Sequence, residues 1–361
     1  MTDRPRVGIV GVYPPPIGGV SIHIQRLMAG CRDNGIRCIV FDVSRRLKKV
    51  PGVYNIVRVS DWPRILFSPQ DIVHIHTTNM NWKIPSIFCY LAIIKGARLV
   101  FSCHSLIYRP QDFSPLGRRM MKMMLKTASH CIAVNAEMKE KLVSMGARPD
   151  KVIVLTPYLP PLIKEEEIAE IPPEVWPFMK GHKPLLSANG SAIYKFNGED
   201  LYGIDMCIDL CAALKSIYPG VGLVFCLQNI SDYDYFHELK RKIAEKGIED
   251  NFLFQTKPCQ FYPVLMKSDI FVRPTNTDGD AISLREALYL KVPSVASDAV
   301  PRPEGTAIFK SRDTAGFIDC VKEVWENYAD HKKRVEYLSM PDVLGEILAI
   351  YRRVAGESSE S

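Results

Sequence analysis

Two acidic side chains eight positions apart, Asp278 and Glu286, lie in a polar segment that follows a predicted strand over residues 269–272. The segment contains a glycine and leads into a predicted helix. Carboxylates accept hydrogen bonds from sugar and ribose hydroxyls, and the backbone amides at the start of a helix can bind a phosphate. The pattern therefore indicates a sugar and phosphate site at the carboxyl end of the strand. Capping of the helix by Asp280 or Ser283 is an alternative that explains part of the segment.

A second loop that could bind an anion contains the adjacent glycines Gly18 and Gly19, between the first predicted strand and the first predicted helix. Adjacent glycines let backbone N–H groups approach an anion, and the helix N-terminus adds a partial positive charge. The loop lacks the Gly-x-Gly-x-x-Gly pattern, so it does not predict a dinucleotide cofactor. A tight turn without a ligand is the alternative.

Two predicted strands have histidines at or directly after their carboxyl ends. His104 follows the apolar run 98–103, and it could be a site residue or a satisfied loop histidine. His74 and His76 alternate along the run 71–76. Their spacing would suit a pair of metal ligands, but packing within the strand is the favoured interpretation, so no metal site is predicted.

Short apolar runs alternate with amphipathic segments along most of the chain. The predicted strands are 7–12, 37–43, 71–76, 98–103, 130–134, 185–188, 221–227, 252–255, 269–272 and 294–297. The predicted helices include 20–31, 204–217, 235–246 and 282–290. This rhythm predicts an α/β protein with parallel sheets, built as two consecutive doubly wound, Rossmann-like domains. Ligands bind at the carboxyl ends of such sheets, so a cleft between the two domains is expected to hold the site.

The predicted domain boundaries follow a change in composition. Residues 157–184 are rich in proline and contain an acidic stretch, which is typical of a connection between domains. We therefore expect an N-terminal Rossmann-like domain over 1–170 and a C-terminal Rossmann-like domain over 171–335. The remaining residues, 336–361, are expected to form a helix that returns to the N-terminal domain, followed by a frayed tail.

Composition and charge exclude several classes of protein. With 361 residues that are 47% hydrophobic, the chain is neither disordered nor a coiled coil. Its ten cysteines form no Cys-x-x-Cys pair, which predicts reduced thiols rather than a zinc site. Residues 1–180 carry 25 Lys and Arg against 14 Asp and Glu, whereas residues 181–361 carry 21 against 26. A basic first half favours contact with an anionic surface; no nucleic-acid motif accompanies it, so a membrane is preferred.

One basic segment interleaves cations with methionine and leucine side chains. Its cations are Arg118, Arg119, Lys122 and Lys126. As a helix, the segment could lie on an anionic membrane. Alternatively, its apolar side packs into the core of the domain, and the two interpretations can hold on different faces.

Taken together, these motifs resemble family 4 glycosyltransferases of the GT-B fold. That family carries a Glu-x7-Glu signature followed by a run that reads LEAMAxGxPVVAS. Here Asp278-x7-Glu286 is followed by the run EALYLKVPSVAS, which ends at Ser297. The loop with Gly18 and Gly19 and the order of the elements also agree, so the resemblance spans nearly the whole chain.

The resemblance implies that the domain over 1–170 binds the acceptor and that the domain over 171–335 binds the nucleotide sugar, and it implies roles for individual residues. Glu286 would bind the ribose of a nucleotide-sugar donor, and Asp278 would hold hydroxyls of the transferred sugar. His104 would lie beside that sugar, which makes His104 and Asp278 the candidate catalytic residues. The residues expected on the nucleotide sugar are Gly18, Gly19, Gly190, Lys195, Arg273, Asp278, Gly279, Asp280, Ile282, Ser283 and Glu286.

This sequence departs from the family pattern in two ways. The first acidic residue of the signature is Asp278, one methylene shorter than glutamate, which could alter the sugar preference. The Arg and Lys that neutralise the donor diphosphate in the family are not visible, because Ser191 and Tyr202 stand roughly at their positions. A leaving diphosphate needs compensating charge, and Lys195 and Arg273 are the preferred sources.

The resemblance implies a retaining glycosyltransferase that moves a sugar from a nucleotide diphosphate sugar to a lipid-linked glycan. Synthesis of a bacterial surface polysaccharide, such as lipopolysaccharide or capsule, is the expected context. No cofactor or essential metal is expected, and the enzyme would be cytoplasmic and peripheral on the inner face of the membrane. Two alternatives remain: a catalytically silent GT-B protein that only binds a nucleotide sugar, and a GT-B nucleotide-sugar epimerase.

Overall fold

The computed structural model describes residues 5–77, 88–89, 92–104, 114–278 and 282–356, and the statements below concern these residues. The chain divides into two compact units. Unit 1 comprises residues 1–159 and 341–361, and unit 2 comprises residues 160–340. The first division therefore falls between 159 and 160, where the sequence analysis placed it between 170 and 171.

Unit 1 is built on a parallel sheet. Its strands are β1 (Arg6–Gly11), β2 (Arg37–Asp42), β3 (Val53–Asn55), β4 (Ile72–Thr77), β5 (Arg98–Cys103), β6 (His130–Ala133) and β7 (Val152–Val154). They lie in the order β3-β2-β1-β4-β5-β6-β7, and every neighbouring pair is parallel. In register, Ile9 pairs with Val40 on one side and with His74 on the other.

Helices cover both faces of this sheet. They include α1 (Gly19–Asp33), α2 (Trp62–Phe67), α3 (Pro115–Thr127) and α4 (Ala136–Ser144), with short 3-10 turns at Val59–Asp61 and Pro149–Lys151. Successive side chains of a strand point to opposite faces, so Ile9 joins a core cluster with α1, whereas Val10 joins a second cluster with α2, α3 and α4. The helix α3 begins where the Ser114 hydroxyl accepts a hydrogen bond from the Gly117 amide at 3.2 Å.

Unit 2 repeats this plan. Its main strands are β8 (Leu185–Gly190), β11 (Gly222–Leu227), β12 (Phe252–Gln255), β13 (Ile270–Arg273), β14 (Ser294–Ser297) and β15 (Thr306–Phe309). They form a sheet of order β12-β11-β8-β13-β14-β15 in which every neighbouring pair is parallel. An antiparallel pair, β9 (Lys195–Phe196) and β10 (Glu199–Asp200), follows β8.

The helices of unit 2 pack against this sheet. They are α5 (Glu165–Ala169), α6 (Val175–Gly181), α7 (Ile204–Lys215), α8 (Tyr233–Glu245), α9 (Tyr262–Leu265), α10 (Ile282–Tyr289), α11 (Thr314–Glu326) and α12 (Tyr328–Glu336). Part of the proline-rich segment predicted as a connection is packed core, because Ile171, Val175 and Met179 are buried in one cluster with Val224 of β11.

The last helix, α13 (Val343–Ala355), belongs to unit 1. Ile347 and Tyr351 are buried in the same cluster as the apolar side of α1. The Tyr351 hydroxyl lies 2.6 Å from Nδ1 of His74, which ties the helix to the middle of the sheet. None of the helices in the described part of the chain has the length and apolar character that a bilayer crossing needs.

Candidate functional site

In unit 2 the direction of the sheet reverses between β8 and β13. From β8 the chain proceeds to β11 on one side, whereas from β12 it crosses to β13 on the other side. Such a reversal leaves a crevice at the carboxyl ends of the two strands, where ligands bind in open α/β sheets. Gly190 ends β8 and Arg273 ends β13, so both predicted site residues border this crevice.

A cluster of two arginines and one aspartate lies at the end of β13. The Asp278 carboxylate accepts hydrogen bonds from Nε of Arg273 at 3.0 Å and from Nη1 of Arg302 at 3.1 Å. The Thr275 hydroxyl donates to the same carboxylate at 3.3 Å. Nη1 of Arg273 also donates to the backbone and side-chain oxygens of Asn189, at 3.0 and 3.1 Å. This Arg273–Asp278–Arg302 cluster therefore joins the end of β8, the end of β13 with its following loop, and the loop after β14.

The cluster keeps Asp278 ionised although its side chain is only 11% exposed. Burial by itself would raise the pKa of this carboxyl, but Arg273 and Arg302 outweigh burial and hold the pKa below its ordinary value. Two guanidinium groups and one carboxylate leave these three residues with a net positive charge. Sequence reasoning missed Arg302, although its position just after β14, at the carboxyl end of the neighbouring strand, was a usable signal.

The positions where the family resemblance calls for cations hold a packed tyrosine instead. The Tyr202 hydroxyl lies 2.6 Å from Oγ of Ser191, and its ring centre lies 5.2 Å from the guanidinium carbon of Arg273. A Cβ atom at Gly190 would come within 2.9 Å of the Tyr202 ring. The glycine at 190 is thus required by the packing of Tyr202, whether or not a ligand approaches it.

The two cations that the sequence analysis assigned to the diphosphate each have a partner within unit 2. Lys195 lies on β9, with its ammonium 4.2 Å from the ring centre of Tyr235, a cation–π distance. The Tyr235 hydroxyl in turn donates to the buried Asp200 at 3.2 Å. Arg273 is paired with Asp278, as described above. Of these two cations, Arg273 is thus paired with a carboxylate, whereas Lys195 contacts an aromatic ring and keeps its full charge.

The second acidic residue of the signature is buried inside α10. Glu286 is 4% exposed, Ser283 is buried and Ile282 is half-buried. The first turn of this helix carries no acidic side chain, so the partial positive charge of its N-terminus is not neutralised by the helix itself. Gly279 and Asp280, which the sequence analysis placed on the sugar, lie outside the described residues.

In unit 1 the corresponding reversal lies between β1 and β4, and the loop with the two glycines follows β1. Gly18 caps α1 in an extended conformation, and its amide donates to Oγ of Ser21 at 2.9 Å. A Cβ atom at Gly18 would meet only Ser21 Oγ, at 4.0 Å. Gly18 and Gly19 are thus placed at a helix N-terminus, and packing does not require a glycine at 18.

His104 lies directly after β5, where it pairs with another histidine. Its Nε2 is 3.0 Å from Nδ1 of His76. Burial, reinforced by the neighbouring histidines, lowers the pKa of His104 well below its ordinary value, so the ring is neutral at physiological pH. His74 is held in the strand by Tyr351 and by Ser102, whose Oγ lies 2.8 Å from its Nε2.

The basic segment forms α3, and its cations lie on the outer side. Arg118, Arg119, Lys122 and Lys126 are exposed together with Leu116 and Met123, while Met121, Met124 and Leu125 are buried in the core. The helix therefore packs one side into the domain and presents a mixed basic and apolar surface on the other.

Comparison with protein families supports the resemblance. Residues 17–158, which lie within unit 1, match the model of the family described as Glycosyltransferase Family 4. A search of curated proteins found no significant match.

Solved structures share the fold over nearly the whole chain. A glycosyltransferase from Rickettsia africae has a TM-score of 0.68 at 15% identity and covers 98% of this chain and 100% of its own. The Anabaena protein HepE, solved with UDP, has a TM-score of 0.63 at 13% identity, with coverage of 97% and 98%. The lipopolysaccharide outer core galactosyltransferase WaaB, in its apo form, has a TM-score of 0.58 at 14% identity, with coverage of 96% and 98%.

These similarities define the class: the chain has the α/β architecture of GT-B proteins, with two units that each carry a parallel sheet. The recognition of family 4 glycosyltransferases from the sequence motifs is confirmed, with the family match carried by residues 17–158.

Proposed function

We propose that the protein is a glycosyltransferase that transfers a sugar from a nucleotide diphosphate sugar with retention at the anomeric carbon. The observation that carries this proposal is the crevice of unit 2, where the Arg273–Asp278–Arg302 cluster and the buried Glu286 belong to adjoining segments. The HepE structures with UDP and with UDP-glucose support a uridine diphosphate sugar as the first donor to test.

Each part of the donor has a chemical counterpart among these residues. Carboxylates recognise hydroxyls, so Glu286 is assigned to the ribose and Asp278 to the transferred sugar. The nucleoside diphosphate leaves as an anion. The N-terminus of α10, together with Arg273 and Arg302, supplies the positive charge that stabilises it. The protein then acts by positioning and charge stabilisation, with no covalent carboxylate and no metal required.

His104 is the candidate contribution of unit 1 to the reaction. Because its ring is neutral, it can donate one hydrogen bond to a sugar hydroxyl without adding a charge that the oxocarbenium-like transition state would repel. Its partner His76 limits the ring to orientations in which one nitrogen remains available.

We further propose a lipid-linked glycan as the acceptor, with the protein peripheral on the cytoplasmic face of a bacterial membrane. The support is one face of unit 1, which we call the α2–α3 face. Cys89 Sγ lies 3.8 Å from Oγ1 of Thr127 on α3, and Lys95 Nζ lies 3.3 Å from the carbonyl oxygen of Ile65 on α2, so these segments are neighbours.

The outward side chains of this face combine large apolar groups with cations. Phe67 is 80% exposed, Ile94 is 64% exposed and Leu116 is 58% exposed, beside the basic side chains of α3. Exposed apolar groups flanked by Lys and Arg are the combination that binds anionic lipid surfaces. Synthesis of a surface polysaccharide such as lipopolysaccharide or capsule would need such a location, and the similarity of WaaB in fold agrees with it.

A catalytically silent nucleotide-sugar-binding protein is the second candidate, because Ser191 and Tyr202 occupy the positions of the expected cations. A donor screen decides between the two. Purified protein is incubated with a panel of nucleotide sugars, UDP-sugars first, and free nucleotide is measured with and without glycan acceptors.

We expect nucleotide release with at least one donor, and its loss in Glu286→Gln but not in Glu238→Gln, a matched change on the exposed side of α8. Binding of a donor without any release would favour the silent protein. Interconversion of two nucleotide sugars without release would favour the epimerase.

A further inference from the structure

Three histidines from three different elements meet in unit 1. His23 lies on α1, His76 lies near the end of β4, and His104 follows β5. Each histidine offers one ring nitrogen, and these three nitrogens all lie within 4.8 Å of one another. His23 was not singled out from the sequence, because on its helix it stands among the apolar residues Ile22 and Ile24 and reads as core.

Hydrogen bonding determines which nitrogen of His23 carries a lone pair. Nδ1 lies 2.6 Å from the carbonyl oxygen of Pro157, which can only accept, so Nδ1 carries the proton. Burial lowers the pKa of His23 to about 4, so at neutral pH the ring is uncharged and Nε2 is unprotonated. That Nε2 is buried and has no hydrogen-bond partner among the described residues. A ring whose other nitrogen donates to a backbone carbonyl is oriented as metal-binding histidines are.

The other two histidines are also prepared for a ligand. His76 is 6% exposed, and its Nε2 has no hydrogen-bond partner in the described part of the chain. Its Nδ1 lies 3.0 Å from Nε2 of His104, so one of these two nitrogens carries a proton and the other accepts the hydrogen bond through its lone pair. Unsatisfied buried nitrogens are unfavourable, and two of them belong to this one cluster.

The fourth nearby histidine is not available as a ligand. Both ring nitrogens of His74 are occupied, one by the hydroxyl of Tyr351 and the other by that of Ser102. The ring centre of His74 lies 4.0 Å from that of His76, so the His74 ring packs against a member of the cluster without being a ligand.

We propose that His23, His76 and His104 bind one divalent transition-metal ion, with zinc as the best fit. Imidazole nitrogens suit zinc, and three of them leave a fourth position for water or an anionic oxygen. A tetrahedral site with Zn–N bonds of about 2.1 Å places its ligand nitrogens roughly 3.4 Å apart. The cluster must therefore contract, and His104 has the most room to move because it is only half-buried.

The metal site shares His104 with the proposed sugar site, but it does not depend on the transferase activity, and the ion is assigned no step in sugar transfer. Its ligands are already in the uncharged state that a metal needs, because burial lowers the pKa of all three imidazoles. Binding at neutral pH would thus require no deprotonation of these rings and at most the loss of the hydrogen bond between His76 and His104.

The test is a calorimetric titration of chelator-treated protein with zinc chloride. We expect one ion per chain, and an affinity at least tenfold weaker in His23→Gln and in His76→Gln. The matched control is His237→Gln, which removes an exposed histidine of α8 in unit 2 and should bind zinc as the unaltered chain does.

A stoichiometry far below one ion per chain would overturn the proposal, as would unchanged affinity in His23→Gln or an equal loss in His237→Gln. Because a variant in a buried cluster could fail to fold, X-ray absorption at the zinc edge of the unaltered protein provides a second measurement. A spectrum with three imidazole ligands supports the site, and one with fewer than two overturns it.

Discussion

Replacement of Asp278 by asparagine tests two roles of this residue: its ion pairs with Arg273 and Arg302, and its proposed hydrogen bonds to hydroxyls of the transferred sugar. Asparagine keeps the volume and one acceptor oxygen, so packing is preserved, but the charge that opposes Arg273 and Arg302 is removed. Removing one partner of a buried ion pair typically costs about 3–5 kcal/mol. Arg273 keeps its hydrogen bonds to Asn189, and Arg302 keeps those to Ser297, so we expect the lower end, about 3 kcal/mol.

For a unit of this size, about 3 kcal/mol corresponds to a fall of roughly 6–12 °C in the melting temperature of unit 2. The affinity for UDP should not fall together with the melting temperature. The net charge of the cluster rises, so the affinity for UDP alone should stay the same or increase. If Asp278 holds sugar hydroxyls, a charge-assisted hydrogen bond of about 1.5–3 kcal/mol is lost, and UDP-sugar affinity should fall roughly 10- to 100-fold relative to UDP.

The assay is calorimetry with UDP and with the UDP-sugar that the donor screen selects, combined with thermal unfolding. Asp298→Asn is the matched control, because Asp298 is exposed in the loop after β14 and accepts a bond only from the Ser311 amide among the contacts described. An equal loss of affinity for UDP and for the UDP-sugar would refute the assignment of Asp278 to the sugar. An unchanged melting temperature would refute the account of the ion-pair cluster.

Three further predictions follow from the structure. Glu286→Gln should weaken donor binding more than tenfold in calorimetry, and unchanged affinity would remove Glu286 from the ribose. Burial, with help from Asp205, raises the pKa of Asp200 from 3.8 to about 6, so its stabilising contribution is full below about pH 4 and is lost as the pH rises through 6. Urea unfolding should show that the free energy of unfolding falls by up to about 3 kcal/mol between pH 4 and pH 6, and this fall should be absent in Asp200→Asn. An identical pH dependence of the free energy of unfolding in both proteins would contradict the raised pKa of Asp200. Charge reversal on α3 by Arg118→Glu, Arg119→Glu and Lys122→Glu together should release the protein from anionic vesicles. Equal sedimentation of the variant and the unaltered protein with the vesicles would count against the membrane surface.

Most strands were predictable because each is a short, mainly apolar run, and this includes the edge strand β12, where Phe252, Leu253 and Phe254 are consecutive apolar residues. The predicted strands 98–103, 252–255 and 294–297 have the same limits as β5, β12 and β14. The strands β3, β7 and β15 were not predicted. Each is three or four residues long at an edge of its sheet, so it depends on a single neighbouring strand and is too short to show a period.

The sequence could propose candidate site residues only where they are close along the chain, and their roles stay predictions. Asp278 and Glu286 share one loop and one helix, so their spacing was informative. Arg302 lies 24 positions beyond Asp278 and meets it only because β13 and β14 are adjacent. The three-histidine cluster likewise depends on the order β1-β4-β5, which brings together residues that are far apart along the chain.

The missing cations of the family pattern do not by themselves argue for a silent protein, because the stabilisation of a diphosphate depends on the charge near it rather than on the strand that supplies this charge. Here Ser191 and Tyr202 pair on the β8 side, and the ring of Tyr202 lies against Arg273 on the β13 side. Arg302 adds a second guanidinium from the loop after β14, and Asp278 cancels one of the two charges. The cluster therefore supplies a smaller net charge than two unpaired cations would, so in the proposed reaction the N-terminus of α10 would carry a larger share of the stabilisation of the leaving group.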